Sequence, residues 1–469
     1  MRRLLGLVAS CAVLLAGVAS ASANPRTSHQ QLAFDIFKEL VEINTVTATG
    51  DTARAAEAMA VRLRAAGFAE TDVRVLVSAP RKGNLVARLR GTGKRKPILL
   101  LAHTDVVDAR PEDWSLDPFK LTERDGYFYG RGTTDDKFMA SAFVANLIRY
   151  KQEGYTPERD IIVALEADEE IGDAMALGIR WLLANHRHLI DAEFALNEGG
   201  RVGLKAGKPL WNSVQTAEKV FISYKLEVTD RGGHSSLPTK DNPIHRLAEG
   251  LARLSKFNFP FKLNDITRAF FTRAAELENP QTAADMRAIA AGRPDLDALS
   301  ITRLSSNPIY NAQLRTTCIA TQIQGGHAIN ALPQRANATI NCRVLPGEPI
   351  GEVYATLRRV LDDDTISITP FGGPVLSMPS PLHGEIMGAI ERLTAEFWPG
   401  VPVIPTMSAA ATDSTYLRNA GIPAYGTSGL ADDVDDFRAH GKDERVPVKS
   451  FFEGHEYLYR LVKMLSGGP

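Results

Sequence analysis

The chain has 469 residues, of which 44% are hydrophobic, and this is more than one hydrophobic core usually holds, so we expect two domains. Its 54 basic and 55 acidic residues nearly cancel. This balance argues against a nucleic-acid-binding role and a polybasic membrane-surface role, and it leaves small polar or peptidic molecules as partners.

The N-terminal residues have the pattern of a secretory signal peptide. Two arginines precede an apolar stretch at 4–18, and an Ala-Ser-Ala cleavage pattern ends at Ala23. The apolar stretch is shorter than the roughly 20 residues that a membrane-spanning helix needs. We therefore expect a cleaved signal peptide at residues 1–23, no stable membrane span, and a mature protein that is periplasmic or secreted. A retained anchoring helix and a lipoprotein-type site at Cys11 are the less favoured alternatives.

The first half of the mature chain alternates between predicted helices and strands. Ser28 and Gln31 form a capping-box pattern before an amphipathic helix. Strand-like and helical runs follow, and this alternation predicts an α/β layer with a largely parallel sheet. The predicted strands are 84–90, 98–102, 161–165 and 193–196, and the helices include 53–66 and 138–150.

A different pattern begins near Lys219, where apolar and polar residues alternate as in a sheet with one solvated face. Strands mixed with amphipathic helices continue to about Pro370. The α/β pattern then returns, with a short strand at 422–426 and a last helix that Pro447 begins. We therefore predict an inserted α+β domain at 217–370, which divides a catalytic domain into residues 24–216 and 371–469.

Two cysteines, Cys318 and Cys342, lie in β-like runs of the inserted segment. They would face each other if these strands pair in antiparallel fashion. A disulfide and two buried free thiols are both compatible with the sequence, and the free thiols are the simpler interpretation.

Polar side chains follow several predicted strands and precede one helix of the α/β segments. Taken singly, each has an ordinary explanation, such as helix capping for the aspartates before the helix at 138–150. Together they suggest one site at the rim of the sheet. The set comprises His103, Asp105, Asp135, Asp136, Glu169, Glu170, Glu198 and His440.

Such a group of carboxylates predicts a bound cation. Carboxylates a few ångströms apart repel and raise one another's pKa unless a cation neutralises them. Two histidines and three carboxylates suit a pair of Zn²⁺ ions, whereas sites made only of oxygen atoms favour Mg²⁺ or Ca²⁺. Two metals about 3.5–4 Å apart would hold a hydroxide for attack on a carbonyl group and polarise that carbonyl.

From about residue 30 to the C-terminus the chain resembles the co-catalytic di-zinc exopeptidases and deacylases. This family includes aminoacylase-1, carboxypeptidase S, glutamate carboxypeptidase, carnosinase-like dipeptidases and succinyl-diaminopimelate desuccinylase. Five motifs in the family's order carry the resemblance, and they read AHTD, TTDD, DEE, NEGG and HGKDERV. The NEGG variant, the long insertion and the HGKDERV ending look most like carboxypeptidase S and the secreted N-acyl-amino-acid hydrolases.

The resemblance implies two zinc ions per subunit, with Co²⁺ or Mn²⁺ as substitutes, and a role for each motif residue. The fold it implies is a zinc-exopeptidase-like catalytic domain with an inserted lid and dimerisation domain. In the implied site, His103 and Glu198 bind one ion, Glu170 and His440 bind the other, Asp135 bridges both, Asp105 supports His103, Asp136 follows Asp135 through a cis peptide bond, and Glu169 is the general base. Asn197, where relatives often have Asp, precedes the ligand and should do little harm.

Further roles are implied for the inserted domain and the last segment. His234 would reach across a homodimer to stabilise the tetrahedral intermediate in the neighbouring site. Asn330 and Arg343 would bind the carboxylate of the substrate, and Gly429 would contact it through its backbone. Thr415 stands where many relatives have Arg, so no carboxylate-binding role is carried over to that position.

These roles describe a zinc hydrolase that cleaves an amide bond next to a free carboxylate in short peptides. An N-acyl-amino-acid amidohydrolase would use the same metal centre and the same carboxylate-binding residues, so the motifs do not separate the two. An inactive binding protein on the same fold is a remote alternative, because all five predicted ligands are present.

Overall fold

The computed structural model describes residues 26–171, 177–292 and 294–467. The predicted signal peptide at 1–23 lies outside the described residues. Within the described ranges, no helix has the length and apolar character needed to cross a membrane.

Nineteen strands are formed by the described residues: β1 Val73–Ala79, β2 Lys82–Leu89, β3 Ile98–His103, β4 Thr122–Arg124, β5 Tyr127–Tyr129, β6 Ile161–Glu166, β7 Phe194–Asn197, β8 Val202–Lys205, β9 Lys208–Glu218, β10 Val220–Thr229, β11 Gly233–His234, β12 Thr317–Gly325, β13 Ala331–Leu332, β14 Arg335–Val344, β15 Ser367–Phe371, β16 Val403–Ser408, β17 Ala424–Gly426, β18 Ala431–Asp433 and β19 Arg445–Pro447.

The helices in the same described ranges are α1 Ser28–Glu42, α2 Thr52–Ala65, α3 Lys137–Gln152, α4 Ile179–Asn185, α5 Arg187–Ile190, α6 Pro243–Lys256, α7 Asp265–Ala274, α8 Pro280–Ala291, α9 Pro294–Ser305, α10 Pro308–Leu314, α11 Ile350–Leu361, α12 Gly384–Phe397, α13 Ser414–Asn419 and α14 Val448–Ser466.

A mixed ten-stranded sheet with helices on both faces forms the larger part of the molecule. Its order is β1-β2-β6-β3-β7-β17-β9-β8-β18, and β16 pairs with β9. The predicted strands at 84–90, 98–102, 161–165 and 193–196 correspond to β2, β3, β6 and β7. The central strands β3, β6 and β7 are parallel neighbours and are buried along their length. The predicted mixed sheet flanked by helices is therefore confirmed.

One feature of the first helix differs from the sequence prediction. The capping box of α1 is formed by Thr27 and Gln30, one residue before the predicted pair of Ser28 and Gln31. Thr27 has extended backbone angles, and its hydroxyl accepts a hydrogen bond from the Gln30 backbone, which is the geometry of an N-cap. Ser28 is already inside the helix.

A second, antiparallel sheet is built from the central part of the chain, in the order β12-β14-β10-β15. The alternating residues of β10 bury Val220, Ile222, Tyr224, Leu226 and Val228 against α6 and α11. The half-solvated sheet that the alternation predicted is thus present.

The helices between these strands contact the larger sheet. Phe271 of α7, Met286 of α8 and Leu314 of α10 share an apolar cluster with Ile404 of β16. The helices α7, α8 and α10 of the inserted segment therefore pack as a layer against the larger sheet.

A disulfide connects Cys318 of β12 to Cys342 of β14. The two residues are direct partners in the antiparallel pairing of these strands, so their side chains project from the sheet side by side. The favoured interpretation of two buried free thiols was wrong, because the register of the strands was not visible in the sequence.

Candidate functional site

Two groups of side chains at the rim of the larger sheet have the composition and spacing of metal ligands. One group contains His103, Asp135 and Glu198, and the other contains Asp135, Glu170 and His440, with the ligand atoms of each group within 4.8 Å of one another. Asp135 belongs to both, because its Oδ1 lies 3.0 Å from Nε2 of His103 and its Oδ2 lies 2.9 Å from Nε2 of His440. The five predicted ligands therefore converge on two adjacent sites that share one carboxylate.

Strand topology explains this convergence. His103 ends β3, Glu170 follows β6, and Glu198 follows β7. These three strands are parallel neighbours, and the carboxyl ends of parallel strands meet at the same edge of a sheet, where ligands are commonly bound. Asp135 and His440 reach that edge from the turn before α3 and the loop before β19.

The donor set suits two borderline-soft divalent ions. Each group combines one imidazole with carboxylates, and Nε2 of His440 lies 3.0 Å from Oε1 of Glu170. Such nitrogen and oxygen donors with one shared carboxylate match Zn²⁺ better than Mg²⁺ or Ca²⁺, which prefer oxygen ligands alone. Asp135 and Asp136 are joined by a cis peptide bond, as the resemblance implied.

Asp105 orients two parts of the site at once. Its backbone carbonyl lies 3.0 Å from Nδ1 of His103, so the Nδ1–H donates to it and Nε2 is left to face the first ligand group. Its carboxylate accepts hydrogen bonds from the backbone N–H groups of Glu169, at 3.2 Å, and Glu170, at 3.0 Å. The predicted support of His103 is thus given by the carbonyl, and the carboxylate holds the turn with the two glutamates.

Glu169 has the environment of a general base. It lines the same cavity as the metal-ligand groups. Burial raises the pKa of its carboxyl well above the ordinary value, and the nearby carboxylates of Asp413 and Glu170 act in the same direction. A raised pKa brings a carboxyl group closer to neutral pH, where it can both take and return a proton.

Glu166 and Asp168, the two acids that precede Glu169 in the chain, hold the turn in place. Asp168 adopts a φ of 66° and receives a hydrogen bond of 2.5 Å from Nζ of Lys82. Glu166 is buried, and its carboxylate accepts the backbone N–H of Ile179. The sequence showed these acids but not their partners, which lie on other elements.

A cavity of about 760 Å³ connects the metal-ligand groups to the second sheet. Arg343 of β14 and Phe221 of β10 form part of its wall, and the guanidinium of Arg343 lies 4.8 Å from the Phe221 ring centroid. Lys219 lies on the same wall, and burial lowers its pKa to about 7, with the charge of Arg343 adding to the effect. The predicted carboxylate-binding Arg343 is in the cavity, whereas Lys219 was not predicted.

His234 and Asn330 are close to each other but do not line this cavity in a single chain. The backbone N–H of Ser235 donates to the carbonyl of Asn330 at 3.0 Å. Both residues are exposed, and Nδ1 of His234 lies 2.7 Å from Oγ of Ser236.

The C-terminal part of the chain also contributes residues to the wall of the cavity. Gly429 has a φ of 65°, and a Cβ atom at this position would lie 2.4 Å from the ring of Tyr457. It is flanked by Ser428 and Leu430, which line the cavity. Thr415 also lines it and donates to the buried carboxylate of Glu218.

The positive charge near Thr415 comes from Arg418, one turn later in α13. Its Nη2 lies 2.8 Å from Oε2 of Glu218, and both side chains are buried. Behind Thr415, Arg418 is therefore neutralised by Glu218 and is not a free arginine for a substrate.

A family model and several known proteins match most of this chain. The sequence model of peptidase family M20/M25/M40 matches residues 99–464. A probable carboxypeptidase S-like protein of Dictyostelium discoideum is 30% identical over 377 residues, which are 78% of this chain and 71% of that protein. An N-fatty-acyl-amino acid synthase/hydrolase of Homo sapiens is 29% identical over 379 residues, which are 78% of this chain and 74% of that protein.

Solved structures share the fold. A metallo-carboxypeptidase from Sulfolobus solfataricus superimposes with a TM-score of 0.65 at 17% identity, covering 92% of this chain and 98% of that one. Human carnosine dipeptidase 1 superimposes with a TM-score of 0.60 at 15% identity, covering 93% and 97%.

Proposed function

Since this chain belongs to peptidase family M20/M25/M40 and is a metal-dependent hydrolase, we propose that it binds two Zn²⁺ ions and cleaves an amide bond next to a free carboxylate in short peptides. The observation that carries the proposal is one cavity that is lined by members of both ligand groups and by Arg343. The ligand groups supply the chemistry at one end, and the guanidinium of Arg343 attracts a carboxylate at the other.

Two bound Zn²⁺ ions would lower the pKa of water for attack on the scissile carbonyl and polarise that carbonyl. Glu169 takes the proton of the attacking water and passes it to the leaving amine. Arg343, together with Asn330 of the partner subunit, orients the substrate through its carboxylate. His234 of the partner subunit donates to the developing oxyanion. Co²⁺ or Mn²⁺ would support the same chemistry at these donors.

An N-acyl-amino-acid amidohydrolase is the second candidate. It is favoured by the apolar part of the cavity wall, which includes Met139, Val375, Leu430 and Phe437. The similarity to the human N-fatty-acyl-amino acid synthase/hydrolase points in the same direction. An acyl chain would lie against these apolar side chains, and the amino-acid carboxylate would still meet Arg343.

Parallel hydrolysis assays with zinc resupplied test both candidates. The substrates are free dipeptides, N-acyl amino acids of increasing chain length, and the same molecules with their carboxyl groups amidated. We expect hydrolysis only where the carboxylate is free, and the ratio of kcat/KM between the first two sets assigns the substrate class. Equal rates on amidated molecules, or no hydrolysis by a protein with two bound zinc ions, would contradict the proposal.

We also propose that the chain is exported and acts as a homodimer through its inserted domain. The signal-peptide pattern of residues 1–23 and the disulfide between Cys318 and Cys342 support export, since disulfides persist in oxidising compartments. The exposed position of His234 away from the cavity supports a dimer, because this residue can act only at a neighbouring site. Light scattering of the exported protein tests the oligomeric state.

A further inference from the structure

A buried glutamate that belongs to neither ligand group joins the two loops that carry Asp135 and His440. Glu444 is fully buried. Its Oε1 accepts hydrogen bonds from the backbone N–H and the hydroxyl of Thr134, both at 2.8 Å, and from the N–H of Asp135 at 3.3 Å. Its Oε2 accepts the N–H of Gly132 at 3.1 Å and Nη1 of Arg131 at 2.7 Å. Five donors from the turn that carries Asp135 thus end on one carboxylate.

Residues next to the turn of Asp135 also bind the backbone of the loop that carries His440. Glu444 lies four residues after His440, and Nη2 of Arg131 is 3.4 Å from the carbonyl of His440. The backbone N–H of Gly130 donates to the carbonyl of Glu444 at 3.1 Å. His440 itself has a φ of 62°, a conformation that an L-residue adopts only when its surroundings hold it there.

The side chain of His440 is 53% exposed, so core packing does not fix its place. Its distance from Asp135 instead depends on how the two loops are tied together. The buried pair of Glu444 and Arg131 makes that tie. The other ligand group shares Asp135 with this one, but its remaining ligands, His103 and Glu198, lie at the ends of β3 and β7.

We propose that Glu444, held by Arg131, is a positioning residue that sets the affinity of the ligand group of Asp135, Glu170 and His440 for its metal ion. The inference rests on metal binding at the proposed site and not on the identity of the substrate. Residues that orient metal ligands through hydrogen bonds commonly change metal affinity by 10-fold to 100-fold when substituted.

The chemistry of the site requires a carboxylate here. All five of its partners are donors, and a carboxylate is acceptor-only. The amide of Glu444→Gln would direct its own N–H₂ at backbone donors and would leave the charge of buried Arg131 uncompensated. Substitution should therefore shift the loops although no metal ligand is changed.

The test is a Co²⁺ titration of the full chain after chelator treatment, followed by visible absorbance and by competition with a chelator of known affinity. Wild type should bind two ions. Reference variants His440→Ala and His103→Ala identify which step belongs to which ligand group. For Glu444→Gln, we expect the metal-binding step that His440→Ala removes to weaken by about 10-fold to 100-fold. The step that His103→Ala removes should weaken less, because Asp135 is the only one of its three ligands on the loops that Glu444 ties together.

Asp285→Asn is the matched control. Asp285 is a buried acid on α8 that accepts from Arg303 and Ser300, far from the metal-ligand groups in the helical layer. It should lower thermal stability without changing either metal step. Arg131→Lys keeps the charge and loses the Nη2 contact to the carbonyl of His440. It should therefore weaken the same step to a smaller extent, and it serves if Glu444→Gln does not fold.

Wild-type affinity at both steps in Glu444→Gln, equal weakening of both steps, or the same weakening in Asp285→Asn would overturn the inference. The readout is metal binding in the absence of substrate. A failure of the proposed amide hydrolysis would therefore leave this result intact, and the two outcomes can be told apart.

Discussion

Glu169 and Glu170 are adjacent in the chain, and we propose separate roles for them, because neighbouring side chains leave a turn in different directions. The carboxylate of Asp105 accepts both of their backbone N–H groups. Both side chains line the cavity, but only Glu170 belongs to a metal-ligand group, at 3.0 Å from His440. The proposed division between metal ligand and general base therefore follows from the backbone of this turn.

Glu169→Gln should abolish most activity without removing the metals. An amide cannot take the proton of the attacking water, so we expect kcat to fall by about 10²-fold to 10⁴-fold with KM little changed. Steady-state kinetics and metal analysis on the same preparation check this. Glu57→Gln on the exposed surface of α2 is the control and should behave as wild type. A near-normal rate in Glu169→Gln would remove Glu169 from its assigned role.

The packing of α3 against α14 illustrates how one element supports the site behind it. Phe138 of α3 packs with Phe451 and with the ring of His455, at centroid distances of 5.9 Å and 5.4 Å. Oγ of Ser141 lies 3.3 Å from Nε2 of His455. Because α3 begins directly after Asp135 and Asp136, this aromatic packing anchors the turn that carries Asp135, the residue that both ligand groups share.

His455 should make the fold acid-labile. Burial lowers its pKa to about 3, below the value of about 6.5 in an unfolded chain. The unfolded chain therefore binds one more proton between these values, so stability is complete above pH 6.5 and falls by about 1.4 kcal/mol per pH unit toward pH 3. In His455→Phe this loss is absent, and the drop in unfolding free energy from pH 7 to 4.5, measured in urea, should be smaller by about 2–3 kcal/mol. An identical pH dependence in both proteins would refute the assignment.

The disulfide between β12 and β14 should stabilise the inserted domain without affecting chemistry. It closes a sequence separation of 24 residues, which restricts the unfolded chain by about 3 kcal/mol. We expect Cys318→Ser with Cys342→Ser to lower the free energy of unfolding by about 2–4 kcal/mol and to leave kcat unchanged. Mass spectrometry of unreduced peptides should find the two cysteines linked, and free thiols at both positions would contradict the pairing.

At the scale of the whole molecule, the cavity lies between the ten-stranded sheet and the second sheet, and its wall needs residues of both. Arg343 comes from β14, and the ligand groups come from the rim of the larger sheet. Movement of one sheet relative to the other would therefore change the distance between Arg343 and the metal-ligand groups. Such motion is a common way to close an active site.

A mixing experiment decides whether His234 acts in a neighbouring subunit. His234→Ala and Glu169→Gln should each be nearly inactive alone. In a mixed dimer, the His234→Ala chain keeps its own Glu169 and receives His234 from its partner, so one site is complete. Equal mixing by co-refolding should restore about a quarter of wild-type activity, since half of the dimers then carry one complete site. No gain on mixing, or a fully active monomer, would exclude this role.

Much of the fold and the candidate site could be predicted because the information is local. His103 and Glu170 each follow a short apolar run, and such runs predict buried strands. The helix after Asp135 and Asp136 is apolar along most of its length. Where prediction failed, the deciding contact was remote. The disulfide depends on the register of β12 and β14. The position of Lys219 in the cavity wall near Arg343 is visible only in the folded chain.

The sequence by itself determined the type and order of the ligands, because imidazole and carboxylate chemistry belongs to single residues and strand ends are visible as local patterns. Tertiary structure decided the distances between the ligand atoms of the two groups, that His234 and Asn330 lie away from the cavity of their own chain, and that Glu444 meets Arg131, 313 residues before it. The physical reason is that such contacts depend on how distant elements pack, and packing leaves no periodic signal in the chain.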